Sequence, residues 1–136
     1  LTQAVTPKRR LGRIAAGFNR KARQYHVRGV ITAEMLAQKG DTCAYCPTVM
    51  SIMDGTWDHV IPFDKGGTNE PTNIVRCCMD CQRRKFTKTP DQFAEHQSME
   101  AVCGICGKKW KPRYAEAKRG MARYCSLSCA AKARWK

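Results

Sequence analysis

The chain has 136 residues, 25 Lys or Arg against 11 Asp or Glu, and a formal net charge of +14. That length suits one domain, or one small domain with an appendage, and lets about two-thirds of the unfolded surface be buried. No secretory signal or long apolar span is visible, and the nine cysteines fall in close clusters; this argues against a membrane protein or a disulfide framework and for metal knuckles in a reducing cytosol.

Residues 1–33 contain eight Lys or Arg and no acid, residues 34–102 carry seven bases against ten acids, and residues 103–136 carry ten bases against Glu116 alone. Two cationic arms thus flank a nearly neutral centre, as neutralising the phosphates of a nucleic acid requires. In the first arm, Leu11, Ile14, Phe18 and Tyr25 are spaced for a helix interrupted at Gly12 and Gly17, one that orders against DNA. Next, "ITAEMLAQKG" predicts a helix capped by Thr32, with Met35 and Leu36 inward and Gly40 at its end. "TWDHVIPF" predicts a short or edge strand, because Pro62 cannot donate to a ladder. "DKGGTNEPTN" is a loop, "NIVRCCMDCQRRK" leads into a basic helix, and "PDQFAEHQ" is a further helix with Phe93 inward. Residues 103–129 are expected to repeat an order of Cys pair, hairpin, Cys pair and helix.

Zinc takes four ligands tetrahedrally, and a C-x2-C turn offers two thiolates to one ion. Cys43, Cys46, Cys78 and Cys81 make one complete set; Cys103, Cys106, Cys125 and Cys129 make another. Cys77 is left over. All-sulfur sites with no open position are structural, so two structural zinc ions are expected and neither is catalytic.

Between the halves of the first set stands Trp57–Gly67, "WDHVIPFDKGG". The order C-x2-C, DHVIPFDKGGTN, N-I-V and C-x2-C-Q-x2-K over residues 31–95 resembles the HNH nuclease family, in its zinc-stapled form common in phage genomes. The resemblance implies a small zinc-stabilised α+β fold: a ββα-metal, treble-clef-like HNH domain around one catalytic divalent cation, Mg²⁺ or Mn²⁺. It assigns His59 as general base, Asp58 as the carboxylate holding the cation, and Asn73 as the amide that pins the loop behind the histidine. A neutral imidazole can take a proton from water near pH 7, and a carboxylate oxygen suits a hard cation. Where the family places His or Asn as a second metal ligand, this chain has Gln82. Arg83, Arg84 and Lys85 on the following helix are expected to touch the DNA backbone, with Lys8, Arg9, Arg10, Arg20, Lys21 and Arg23 of the arm. The second module resembles short treble-clef fingers, and there Arg113 and Arg119 are the candidate DNA contacts.

The expected organisation is therefore a partly helical basic arm (1–30), an HNH domain (31–98) and a C-terminal four-cysteine zinc finger (99–136). The implied activity is metal-dependent endonuclease cleavage of double-stranded DNA, nicking one strand per site, in the cytoplasm of a bacterial host or phage-infected cell. A homodimer and the phage packaging machinery are open as partners. The alternative is a zinc protein that binds DNA without cutting it, as a regulator or packaging accessory. A nuclease acting on RNA is a third reading.

Overall fold

The computed structural model describes residues 6–135 and divides into two compact units, the first ending at Asp91 and the second beginning at Gln92. It is a small α+β protein whose described residues form helices, two two-stranded antiparallel sheets and two groups of four cysteines. No helix among the described residues is long and apolar enough to cross a membrane.

The first unit opens with α1 (Pro7–Gln24), capped by Thr6, whose hydroxyl accepts from Arg9 N, with Pro7 at the first position. Leu11, Ala15 and Ala22 are buried along one face, with Ile14 and Phe18 beside them. The helix runs unbroken through Gly12 and Gly17, against expectation. A Cβ at either glycine would meet nothing within 4 Å, so both lie off the packed face. Their propensity cost of about 1 kcal/mol each is outweighed by burial of the apolar stripe. Helix α2 (Ala33–Ala37) follows, with Thr32 capping at Met35 N and Leu36 buried.

Strands β1 (Thr56–His59) and β2 (Ile74–Cys77) pair antiparallel, with Trp57 opposite Arg76, Asp58 opposite Val75 and His59 opposite Ile74. Trp57 and Ile74 join Leu11, Ala15, Ile31 and Leu36 in the main core, which ties α1 and α2 to the hairpin. The Trp57 indole N–H donates to Leu36 O at 3.2 Å, so its one polar atom is satisfied inside that core. The hairpin connection carries two 3₁₀ turns, Phe63–Lys65 and Pro71–Asn73. Gly67 is forced there: a Cβ would sit 1.8 Å from Ile61 O. Helix α3 (Met79–Lys85) starts at Cys78, whose sulfur accepts from Cys81 N.

The second unit contains the body of α4 (Pro90–Ser98), with Phe93 buried, then β3 (Ala101–Val102) paired to β4 (Lys109–Trp110), α5 (Tyr114–Lys118) and α6 (Leu127–Arg134) capped by Ser126. Here the hairpin wraps the first knuckle rather than standing between the Cys pairs. Helix α5 fills that interval, and the expected repeat of the first module's order is not found. Glu95 anchors α5 to α4, accepting from Tyr114 Oη and Lys118 Nζ, each at 2.8 Å.

Each expected zinc set is gathered: within Cys43, Cys46, Cys78 and Cys81, and within Cys103, Cys106, Cys125 and Cys129, all sulfurs lie within 4.8 Å of one another. Sulfur pairs at 3.8 Å (Cys46–Cys78), 3.5 Å (Cys106–Cys125) and 3.8 Å (Cys125–Cys129) are too far apart for disulfides. They match the edge of about 3.8 Å that a tetrahedron with zinc–sulfur bonds of about 2.3 Å must have. Backbone N–H groups of Tyr45 and Cys78 donate to Cys43 Sγ, placing partial positive charge against the sulfur. Cys77 is fully buried outside the cluster, and burial pushes its thiol up to about 12. Native mass spectrometry is expected to find two zinc ions per chain, and one in Cys78→Ser; a chain that folds with none contradicts these staples.

Candidate active site

Strand alternation sends neighbouring side chains to opposite faces, yet Asp58 and His59 line the same cleft. The strand ends at His59, and the chain turns away through Val60–Pro62. The cleft has a volume of about 280 Å³ and is lined by Lys21, Tyr25, Asp58, His59, Pro62, Phe63, Asp64, Phe86 and Thr87. Its walls are thus α1, the end of β1, the following 3₁₀ turn and the residues just after α3.

His59 sits between two aromatic rings, Phe18 of α1 at 4.7 Å and Phe63 at 4.4 Å between centroids. Its Nε2 lies 3.0 Å from Asn69 Oδ1. Burial holds its pKa below the usual imidazole value, the charges of Lys21 and Lys85 act the same way, and the Asn69 bond and the Asp58 charge oppose. The ring therefore stays neutral, able to accept a proton, to lower pH than an exposed histidine.

Asp58 is held by two donors on one oxygen. Its Oδ2 accepts from Tyr45 Oη at 3.1 Å and pairs with Lys85 Nζ at 2.7 Å. Lys85 also donates to His59 O at 2.9 Å, and its side chain is 0 % exposed. Burial, then the Asp58 charge, drives the Tyr45 hydroxyl well above its usual pKa, so it remains a donor. Asn73 binds the loop after the histidine: Oδ1 accepts from Ile61 N at 2.9 Å, and Nδ2 donates to Ile61 O at 3.0 Å and Thr68 O at 2.8 Å.

Lys85 is thus not the phosphate contact expected from the sequence. Cys81, four residues earlier, is turned inward to its sulfur cluster, and residues four apart share a helix face; Lys85 follows it inside. Arg83 and Arg84 remain exposed. Arg10 is half-buried, and its Nη2 donates to Gly55 O at 2.8 Å, which ties α1 to the loop before β1. Lys8, Arg9, Arg20, Lys21, Arg23, Arg113 and Arg119 are exposed, and of these Lys21 lines the cleft. Gln82 is half-buried on α3, three residues before Lys85, and is not among the cleft's lining residues.

Several site residues escaped the sequence reading. Asn69 and Asn19 look like ordinary loop and helix polar residues, and only long-range folding joins them to His59. Asp64 and the exposed Phe86 border the cleft, and Phe86 adopts a positive φ of 48° as α3 ends. A non-glycine residue in that region is a strained conformation often kept at functional sites.

Residues 43–98 match the sequence model of the family described as HNH endonuclease. The segment is of the HNH endonuclease family. Nuclease function in general, and nucleic acid as its partner, go with that family. No curated protein matches the chain. Among solved structures, the Type II-C Cas9 enzyme from Actinomyces naeslundii is similar at 21% identity and a TM-score of 0.42; the alignment covers 91% of this chain and 14% of that one. This chain therefore spans only a small share of that neighbour's length.

The HNH segment's donors fit a hard divalent cation. Both bonds to Asp58 fall on Oδ2, while Oδ1 takes neither, and Asp64 lines the same cleft. Among the described residues, the two four-cysteine sets are the groups of three or more His, Cys, Asp or Glu close enough to hold an ion. The cleft thus holds two carboxylates, oxygen donors of the class that hard divalent cations take.

Two outcomes are expected. Titration of His59 followed by NMR, without added divalent cation, should give a midpoint below about 6.5, the unperturbed value; a higher midpoint contradicts the burial between Phe18 and Phe63. Lys85→Met should cost about 3–5 kcal/mol by leaving the Asp58 carboxylate uncompensated, with partial recovery on adding Asp58→Asn. A loss under about 1 kcal/mol, the range of exposed pairs, contradicts a buried ion pair.

Proposed function

We propose that this protein is a metal-dependent endonuclease that hydrolyses phosphodiester bonds of double-stranded DNA, one strand per site. The observation that carries the reading is the convergence of Asp58 and His59 on one cleft beside exposed Lys21. His59 takes a proton from the attacking water through the ring nitrogen that does not face Asn69. Asp58, with one oxygen engaged by Tyr45 and Lys85, keeps the other for Mg²⁺ or Mn²⁺; Gln82 is the further ligand the resemblance supplies, and Asp64 a candidate the cleft adds. When bound, the cation supplies positive charge to the phosphate and to the leaving 3′-oxygen. Asn73 keeps the histidine loop in register. Lys21 at the cleft, with Arg20 and Arg23 on α1 and Arg83 and Arg84 on α3, neutralises neighbouring phosphates, and the second unit adds Arg113 and Arg119. The expected setting is a bacterial or phage-infected cytoplasm.

One observation favours the second reading, a zinc protein that binds DNA without cutting it. The buried Lys85 charge offsets Asp58, and Gln82 is neutral, so the protein alone attracts a cation weakly. Under the nuclease reading the DNA phosphate supplies the missing negative charge.

Supercoiled plasmid with Mg²⁺ or Mn²⁺ separates the two. Wild type is expected to accumulate nicked circles before linear product, and His59→Ala to lose at least about 100-fold in rate while gel-shift binding persists. Binding without cleavage by wild type in either metal supports the second reading. Affinity should also fall steeply with salt as counterions are released; salt-indifferent binding contradicts the role given to the basic residues.

A further inference from the structure

Helix α1 lies outside the family-matching residues 43–98, yet one of its side chains ends in a chain of hydrogen bonds to His59. Asn19 Nδ2 donates to Ile31 O at 2.8 Å, and its Oδ1 accepts from Ile31 N at 2.9 Å. A backbone carbonyl can only accept and an N–H can only donate, so this pair leaves the Asn19 amide a single orientation. Its Oδ1 also faces Asn69 Nδ2 at 2.9 Å, and Gly29 O lies 3.2 Å from the same nitrogen. Two acceptors on one side of Asn69 require its NH₂ there, which turns Oδ1 to the histidine. An acceptor 3.0 Å from His59 Nε2 requires a proton on that nitrogen when the ring is neutral, which leaves the lone pair on Nδ1.

We infer that Asn19 is a positioning residue that acts through Asn69 to hold His59 in the Nε2–H tautomer, making helix α1 part of the site that presents the base. Asn69 is fully buried, so its amide has no water to satisfy it in the reverse orientation. The approach of the two loops depends on Gly29, at a φ of +108°, where a Cβ would stand 2.3 Å from Asn69 O. Phe18, the residue before Asn19, packs its ring on His59, and Lys21, two residues after, lines the cleft. One short stretch of α1 therefore supplies a ring contact, a tautomer lock and a cation to the same histidine. The tautomer assignment stands on hydrogen-bond polarity alone; its consequence for rate rests on the nuclease reading.

The test uses the full, zinc-loaded chain labelled with ¹⁵N-histidine, with long-range ¹H–¹⁵N correlation of the His59 ring at a pH where it is neutral. Wild type is expected to show one tautomer with a protected Nε2 proton. Asn19→Ala is expected to show faster exchange of that proton and a second, Nδ1–H population. Asn19→Asp keeps the acceptor oxygen for Asn69 and Ile31 N but sets its second oxygen against the Ile31 carbonyl, so it should restore the wild-type pattern in part, between Asn19→Ala and wild type. The Trp57 indole N–H, bonded to Leu36 O, should keep its position in both variants, showing that the core is intact. In cleavage assays kcat should fall about 10-fold or more in Asn19→Ala, within the range of general-base effects, with KM unchanged. A wild-type ring protonated at Nδ1, or an Asn19→Ala spectrum identical to wild type, overturns the inference, as does a fall in kcat with no change in tautomer. A tautomer shift in a protein that cleaves nothing, wild type included, supports the positioning role and overturns the nuclease reading instead.

Discussion

The sulfur cluster of Cys43, Cys46, Cys78 and Cys81 is the constraint on which the first unit depends. It joins the loop before β1 to the β2–α3 junction, two regions 32 residues apart between Cys46 and Cys78. Few apolar side chains lie nearby: Met50 and Cys77 are the buried residues packed with Cys43 and Cys81. A bound zinc contributes about 10–16 kcal/mol in small finger peptides, far more than such a cluster buries. Because Cys81 is drawn inward, Lys85 one turn later is drawn inward as well. Lys85 then carries α3 onto Asp58 and the His59 carbonyl, so a structural metal site sets the aim of the residues that face the cleft.

A second constraint comes from the opposite wall. Helix α1 shares the main core with the hairpin through Leu11, Ala15, Trp57 and Ile74, and its polar groups finish what that packing begins. Arg10 reaches Gly55 and Asn19 reaches Ile31 and Asn69. His59 is consequently braced from two sides: by the loop Asn73 pins, and by an amide pair anchored on α1. The imidazole is kept neutral by burial among aromatic rings and oriented by polar groups, while the carboxylate next to it is paired with a buried lysine. Opposite environments for adjacent residues are a means of giving each a separate role.

What the sequence made legible was local. Four close cysteine pairs can be read as zinc knuckles because their spacing alone presents ligands to one ion, and Thr32 can be read as a helix cap from the turn that follows it. Asp58 and His59 stand out through their setting between the pairs. The interior position of Lys85 could have been anticipated from its i+4 relation to Cys81, but its basic neighbours Arg83 and Arg84 pointed to a solvated face. Asn19 and Asn69 carry no local signal, because their partnership exists only once α1 docks beside a loop 50 residues away. Gly12 and Gly17 misled for a related reason: propensity marks them as breaks, and tertiary packing overrides propensity.

The central physical claim is that a carboxylate-held cation and an oriented imidazole meet at one phosphodiester in this cleft. Anomalous diffraction from crystals of His59→Ala with duplex DNA and Mn²⁺ addresses it most directly. A manganese peak about 2.0–2.2 Å from Asp58 Oδ1, a distance typical of hard-cation coordination, with a phosphate oxygen in its shell and the residue-59 side chain facing that phosphate, is the predicted result. Bound DNA that passes the cleft by, with no manganese at Asp58, would contradict it.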